Sequence, residues 1–131
     1  MTTTQKPMRN RQSKMLDKSS NSVKVVFADK ANVLRQLKEY AKSIKRKHAE
    51  VERVGFFGSY ANNTYGPASD VDLLIILRES SKRFLDRIPD YLPENFSVSC
   101  DVFPYTDEEI ERMKQSGTPW ICHVLNEVVW L

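Results

Sequence analysis

The chain has 131 residues, of which 40% are hydrophobic and 28% are charged, and its formal net charge is +3. This length fits one domain with a buried core, and this composition excludes a wholly disordered chain. Two cysteines exclude a disulfide scaffold, and the lack of an apolar run of about 20 residues excludes a membrane span.

The N-terminal segment is basic and polar. Residues 1–22 carry five basic side chains and one acidic side chain, whereas residues 23–131 carry 15 basic and 16 acidic side chains. We therefore predict a disordered basic tail over residues 1–22 and a folded domain over residues 23–131. The tail is either a solubilising arm or an electrostatic contact with RNA, and both interpretations stay open. Because the segment has no apolar stretch typical of a secretory signal, we expect a cytoplasmic protein.

The first predicted elements are a short strand and a long helix. Val23–Phe27 is rich in β-branched residues and is predicted as an edge strand. Asp29 is a predicted N-cap, and apolar side chains at helical spacing predict an amphipathic helix over residues 30–48. The apolar run Val51–Phe57 then predicts a strand, and the polar residues 59–69 predict one helical turn followed by a loop.

The second half of the domain combines two strands with further helices. Val71–Leu77 is almost uniformly apolar, which predicts a strand covered on both faces. Phe96–Phe103 alternates between apolar and polar side chains, and Thr106 with Glu109 predicts a capping box. The other predicted elements are a helix over 80–92 interrupted at Pro89, closure of the capped helix at Gly117, a helix over 119–126 and a strand over 128–131. The order predicts a small α/β or α+β domain, with a mixed β-sheet and helices packed on one face.

Three aspartates stand out in these apolar strands. Asp70 and Asp72 are two residues apart, so their side chains point to one face at about 6.6 Å from each other. Like charges side by side are unfavourable unless a cation compensates them, and Mg²⁺ prefers carboxylate oxygens. Asp101 alternates with the apolar Cys100 and Val102, so it joins the first pair if the two strands are neighbours. The sequence therefore predicts a shared magnesium site.

Gly58-Ser59 follows the strand at 51–57 and precedes the predicted helical turn. Glycine lets a phosphate group approach backbone N–H groups closely, and the serine hydroxyl adds a hydrogen bond. Together with the aspartates, this pair predicts a site for a nucleoside triphosphate and two metal ions. Two metal ions stabilise the attacking and leaving oxygens of a phosphoryl displacement.

The series Gly58-Ser59, ten intervening residues, Asp70-Val71-Asp72 and a later Asp101 resembles the nucleotidyltransferase superfamily of the DNA polymerase β type. More narrowly, it resembles the minimal nucleotidyltransferases (MNT proteins), the antitoxin partners of HEPN toxins. The resemblance implies that Gly58 and Ser59 bind the triphosphate and that Asp70, Asp72 and Asp101 are catalytic and bind Mg²⁺. It also implies transfer of AMP from ATP to a tyrosine hydroxyl of a HEPN toxin, with release of pyrophosphate.

The sequence departs from this family pattern directly after the serine. Many relatives have an arginine followed by Ala-Arg-Gly, whereas this chain has Tyr60-Ala61-Asn62-Asn63. Two alternatives to the antitoxin function stay open: a nucleotidyltransferase that modifies RNA such as tRNA, and a non-catalytic subunit that binds a nucleotide or a partner. The apolar residues from Trp120 to Leu131 either pack in the core or form a partner surface.

Overall fold

A computed structural model describes the backbone of residues 19–131 and the side chains from residue 30 onward. Residues 33–131 form one compact unit, and the described residues 19–32 belong to another. The elements in chain order are α1 (Ser19–Lys47), β1 (Val51–Phe57), α2 (Ser59–Asn62), β2 (Val71–Leu77), α3 (Phe84–Tyr91), β3 (Cys100–Thr106), α4 (Asp107–Gln115), α5 (Pro119–Glu127) and β4 (Val129–Trp130). No helix within residues 19–131 is both long and apolar enough to cross a bilayer.

The first helix is longer than predicted, and the strand predicted at Val23–Phe27 is wrong. This segment is helical and continues into the amphipathic part of α1, so Asp29 is not an N-cap. Periodicity alone cannot decide whether a run of five residues is a strand or a helix. No glycine or proline lies between this run and Lys47, so the helix extends through it. Of the predicted tail, residues 1–18 lie outside the described residues, and residues 19–22 are helical.

The sheet has four strands in the order β3-β2-β1-β4. β2 pairs with β1 antiparallel and with β3 parallel, and β1 pairs with β4 antiparallel, so the sheet is mixed as predicted. β3 spans Cys100–Thr106 rather than the predicted Phe96–Phe103, because it pairs with β2 only from Val71 onward. Its side chains still alternate in the predicted phase. Pro104 is tolerated in β3 because this strand lies at the sheet edge.

Helices cover both faces of the sheet, not one face as predicted. On one face, Leu37 of α1 and Leu73 of β2 belong to the same buried cluster. On the other face, Ile110 of α4 and Ile121 of α5 form a cluster with Leu74 of β2. Because the side chains of β2 alternate between the two faces and are almost all apolar, each face needs a covering layer. The apolar C-terminal segment therefore contributes to the core.

The remaining predicted elements are confirmed with small changes of their bounds. The strand over 51–57 is β1, and the predicted helical turn is α2. α3 is shorter than predicted, and Pro89 lies within it without dividing it. The C-terminal helix and strand are α5 and β4. Gly117 follows α4 with a positive φ of 70°, as expected of a glycine that ends a helix.

A buried ion pair fastens α3 to the end of β3. The Arg87 side chain is 5% exposed and donates hydrogen bonds to both carboxylate oxygens of Glu109, at 2.7 and 2.9 Å. It also donates to the carbonyl of Pro104 at 2.9 Å. Glu109 accepts a further hydrogen bond from the N–H of Thr106 at 2.9 Å, and the predicted capping box is confirmed. One carboxylate therefore joins α3, β3 and α4.

Glu109→Gln is expected to lower the free energy of unfolding by about 3 kcal/mol at neutral pH, because it leaves the Arg87 charge buried without a counter-ion. Glutamine still completes a capping box, so the change isolates the charge. The hydrogen bond from Arg87 holds the pKa of Glu109 below its ordinary value. The stabilisation is therefore complete above the unfolded-state pKa and is lost as the pH falls through the lowered folded-state pKa.

Urea denaturation of the wild type and the variant at neutral and acid pH measures this effect. Glu108→Gln is the matched control, because Glu108 pairs with Arg112 on the exposed surface of the same helix. The control is expected to change stability by less than about 0.5 kcal/mol. Equal losses in the two variants, or a loss from Glu109→Gln that does not shrink in acid, would contradict this account.

Candidate functional site

The parallel register of β2 and β3 places two of the predicted aspartates side by side. Asp72 is the direct partner of Asp101, and residues in register on neighbouring strands point to the same face. Their chain neighbours Val71 and Val102 are buried in the cluster beneath α1, on the opposite face. The predicted arrangement of strands and faces is therefore confirmed. Asp70 lies directly before β2, and like Asp101 it is exposed, whereas Asp72 is half-buried.

Negative charge accumulates at this end of the sheet. Burial raises the pKa of Asp72 above its ordinary value, and the charges of Asp101, Asp70 and Glu127 raise it further. The pKa of the half-buried Cys100 thiol is raised to about 12, first by burial and then by the charges of the three aspartates. Both shifts follow from burial and from the negative charge that the carboxylates bring to this end of the sheet.

Gly58 brings the end of β1 against these carboxylates. It follows Phe57, the β1 partner of Asp72. Its φ is 76°, which favours glycine, and a Cβ atom at this position would lie 2.4 Å from Oδ2 of Asp72. Both the backbone conformation and the close approach therefore require glycine. Ser59 comes next as the first residue of α2 and is half-buried, and its predicted contact with a triphosphate stays a prediction.

The residues after the serine have structural partners in the fold. Tyr60 is buried and stacks on Tyr65, with ring centroids 4.8 Å apart. The Oδ1 atom of Asn62 accepts hydrogen bonds from the hydroxyl of Thr64 at 2.5 Å and from its N–H at 3.1 Å. The departure from the family pattern thus supplies the packing and hydrogen bonds that close the loop after β1.

Glu127 is a residue of the site that sequence reasoning missed. It is the last residue of α5, and its Oε2 accepts a hydrogen bond from the N–H of Gly58 at 2.7 Å. Its Oε1 accepts from Nδ2 of Asn62 at 3.4 Å and lies 3.5 Å from Nε2 of His123. Glu127 is 69 positions from Gly58 and belongs to no motif. The only signal in the sequence is its spacing of four residues from His123, which predicts a helical pair and no more.

The carboxylate oxygens of the aspartates suit a hard divalent cation that keeps water or phosphate oxygens as its other ligands. Carboxylate oxygens are the protein ligands that Mg²⁺ prefers, and Mg²⁺ usually takes only one or two of them together with phosphate oxygens and water. Within residues 19–131, no group of three or more histidine, cysteine, aspartate or glutamate side chains is arranged to hold a metal ion. The shared magnesium site therefore stays a prediction.

The comparisons with known proteins agree with this geometry. The profile of the nucleotidyltransferase domain family matches residues 37–121, more than half of the chain. No curated protein matches the sequence. Among solved structures, the chain is similar to a Sulfolobus solfataricus protein provisionally described as a nucleotidyltransferase, with a TM-score of 0.56 and 20% identity over 79% of this chain and 83% of that chain. The predicted nucleotidyltransferase-like fold is confirmed, and the antitoxin subtype stays a prediction.

Gly58→Ala is expected to lower the free energy of unfolding by about 1 kcal/mol more than Gly117→Ala. Both glycines have a positive φ, so both alanines are strained, and the ψ of −150° at Gly58 adds to the strain there. A Cβ at Gly117 has no atom within 4 Å, whereas a Cβ at Gly58 displaces the carboxylate of Asp72. Urea denaturation of the two variants gives the difference, and equal losses would show that the close approach to Asp72 has no energetic consequence.

Asp72→Asn is expected to raise the free energy of unfolding of the ligand-free chain at neutral pH, by less than about 1 kcal/mol because the group is partly exposed and screened. The raised folded-state pKa means that ionised Asp72 opposes folding. The gain should vanish below the unfolded-state pKa, where the carboxyl is protonated in both states. Asp86→Asn, which removes an exposed partner of Arg83, is the control without such a gain. A clear loss of stability in Asp72→Asn would show that the crowding is compensated within the protein.

Proposed function

This chain belongs to the nucleotidyltransferase domain family, and we propose that it transfers AMP from ATP to a hydroxyl group of a partner molecule. The observation that supports this most is the direct pairing of Asp72 with Asp101, with Gly58 in contact with the Asp72 carboxylate. In the reaction, the acceptor oxygen bonds to the α-phosphorus, the bond to pyrophosphate breaks, and the acceptor proton passes to solvent. The family accounts for nucleotidyl transfer, and the nucleotide, the metal and the acceptor are parts of the proposal.

Each residue of the site has a proposed task. Asp70, Asp72 and Asp101 would hold two Mg²⁺ ions, as the resemblance implies, and these ions would neutralise charge at the attacking and leaving oxygens. The aspartates thereby orient the α-phosphate towards the acceptor. Gly58 allows the end of β1 to approach the Asp72 carboxylate closely, since a Cβ atom at this position would lie 2.4 Å from Oδ2. The hydroxyl of Ser59 would donate a hydrogen bond to the triphosphate.

We further propose that the acceptor is a tyrosine of a HEPN-family toxin and that the chain acts as its cytoplasmic antitoxin. The support is the resemblance of Gly58-Ser59 and Asp70-Val71-Asp72 to the minimal nucleotidyltransferases. Adenylylation of a tyrosine adds a bulky anionic group at that position. Such a group changes the charge and the hydrogen bonding at that position, which gives an antitoxin a direct physical mechanism.

Asp70→Ala combined with Asp72→Ala is expected to reduce transfer of label from [α-³²P]ATP to a HEPN partner by at least about 100-fold in the presence of Mg²⁺. The double variant removes both carboxylates at the start of β2. A matched double control, Asp86→Ala with Asp90→Ala, removes two acids of α3 that pair with Arg83 and Lys82 on the surface. Undiminished labelling by the first double variant, or an equal loss in the control, would reject the assignment.

The same assay separates the two alternative functions. Labelling of RNA instead of protein would favour an RNA nucleotidyltransferase, for which the basic residues 1–22 are the motivating observation. Deletion of that segment would then weaken RNA binding and reduce its salt dependence. Binding of ATP and Mg²⁺ without transfer to any acceptor would favour a non-catalytic subunit. The motivating observation for that alternative is Tyr60, Asn62 and Asn63 in place of the basic residues and glycine of the family pattern.

A further inference from the structure

The backbone N–H of Gly58 already has an anionic partner. Its hydrogen bond to Oε2 of Glu127 is 2.7 Å long, which is the length of a charge-assisted bond. The Glu127 side chain is 17% exposed, so most of this carboxylate is removed from water. The bond holds a negative charge beside Asp72, at the position where the proposed function places a phosphate group.

The other partners of Glu127 in the described part of the chain lie farther away than the N–H of Gly58. Its other contacts are the neutral amide of Asn62 at 3.4 Å and the ring of His123 at 3.5 Å, and the His123 side chain is 71% exposed. The charges of Glu127 and Asp72 repel each other, since Glu127 is one of the causes that raise the pKa of Asp72. An anionic phosphate that enters this space meets the same repulsion, and it needs the same N–H donor.

We propose that Glu127 competes with the phosphate groups of the nucleotide for the N–H of Gly58 and thereby lowers nucleotide affinity until it is displaced. This inference rests on the proposed function, because it assumes that a nucleotide binds beside Gly58. Glu127 is thus an affinity-setting residue of the site. It allows binding only when the gain from the metal-bound phosphates exceeds the loss of its own hydrogen bond.

Displacement requires only a rotation of the side chain. Glu127 ends α5, and β4 begins two residues later and pairs with β1 through Val129 and Trp130. The backbone on either side of Glu127 is therefore held by packed elements. His123 lies one helical turn earlier on the exposed side of α5. It offers a second partner to the carboxylate after the N–H of Gly58 has been taken by a phosphate oxygen.

Titration calorimetry with ATP and Mg²⁺ on the full chain tests the competition. Glu127→Gln keeps the shape and a carbonyl oxygen for Gly58 but removes the charge, and it is expected to bind ATP about tenfold more tightly than the wild type. Glu111→Gln is the matched control, because Glu111 pairs with Lys114 on the surface of α4. The control should bind ATP as the wild type does, within about twofold.

A second measurement uses the wild-type chain and does not depend on the variant folding. The amide resonance of Gly58 and the side-chain carboxyl resonance of Glu127 are followed by NMR during the same titration. Competition predicts that both resonances shift with one midpoint, because the two groups separate when the nucleotide binds.

The possible outcomes separate this inference from the proposed function. Unchanged affinity in Glu127→Gln, or a shift of Gly58 without a shift of Glu127, overturns the competition and leaves the nucleotide site intact. An absence of ATP binding in both the wild type and Glu127→Gln rejects the nucleotide site, and the inference falls with it. Tighter ATP binding in Glu127→Gln, without a change in Glu111→Gln, supports both the competition and the nucleotide site.

Discussion

The parallel, in-register pairing of β2 with β3 is the constraint on which the candidate site depends. Because Val71 faces Cys100 and Asp72 faces Asp101, the apolar members of both strands share the face beneath α1 and the acids share the other. A slip of one residue would turn Asp101 into the apolar layer, at a cost that the fold could not tolerate. The hydrophobic core therefore determines where the carboxylates converge, without any attraction between them.

The last residues of β3 make stabilising contacts, whereas its first residues lie among repelling charges. Its last residues are tied down, since Arg87 binds the carbonyl of Pro104 and Glu109 caps α4 at Thr106. Its first residues carry Asp101 into a region where negative charges repel one another. The favourable contacts at the end of β3 offset the electrostatic repulsion among the carboxylates at its start. Such local repulsion is expected where a functional site is built into a stable fold.

Local signals in the sequence predicted β1, β2, the capping box and the common face of the aspartates, because alternation and capping depend on a few adjacent residues. The wrong or missing predictions concern features that depend on residues far apart in the sequence. Val23–Phe27 is part of the helix that continues to Lys47, and the start of β3 is set by the start of β2. Glu127 contacts Gly58 across 69 positions, which no spacing rule in one sequence can detect. The two C-terminal helices were predicted, but their position on the second face of the sheet was not, although β2 is apolar on both sides.

We propose that the crowded aspartates bind a divalent cation that reaches them together with a nucleotide. Paramagnetic broadening of backbone amide signals by Mn²⁺, recorded with and without ATP, tests it most directly. We predict that ATP confines the strongest broadening to residues 58–59, 70–72 and 100–102 and that Asp72→Asn with Asp101→Asn abolishes this pattern. Strongest broadening elsewhere in the chain, or the same pattern in the double variant, would contradict the account.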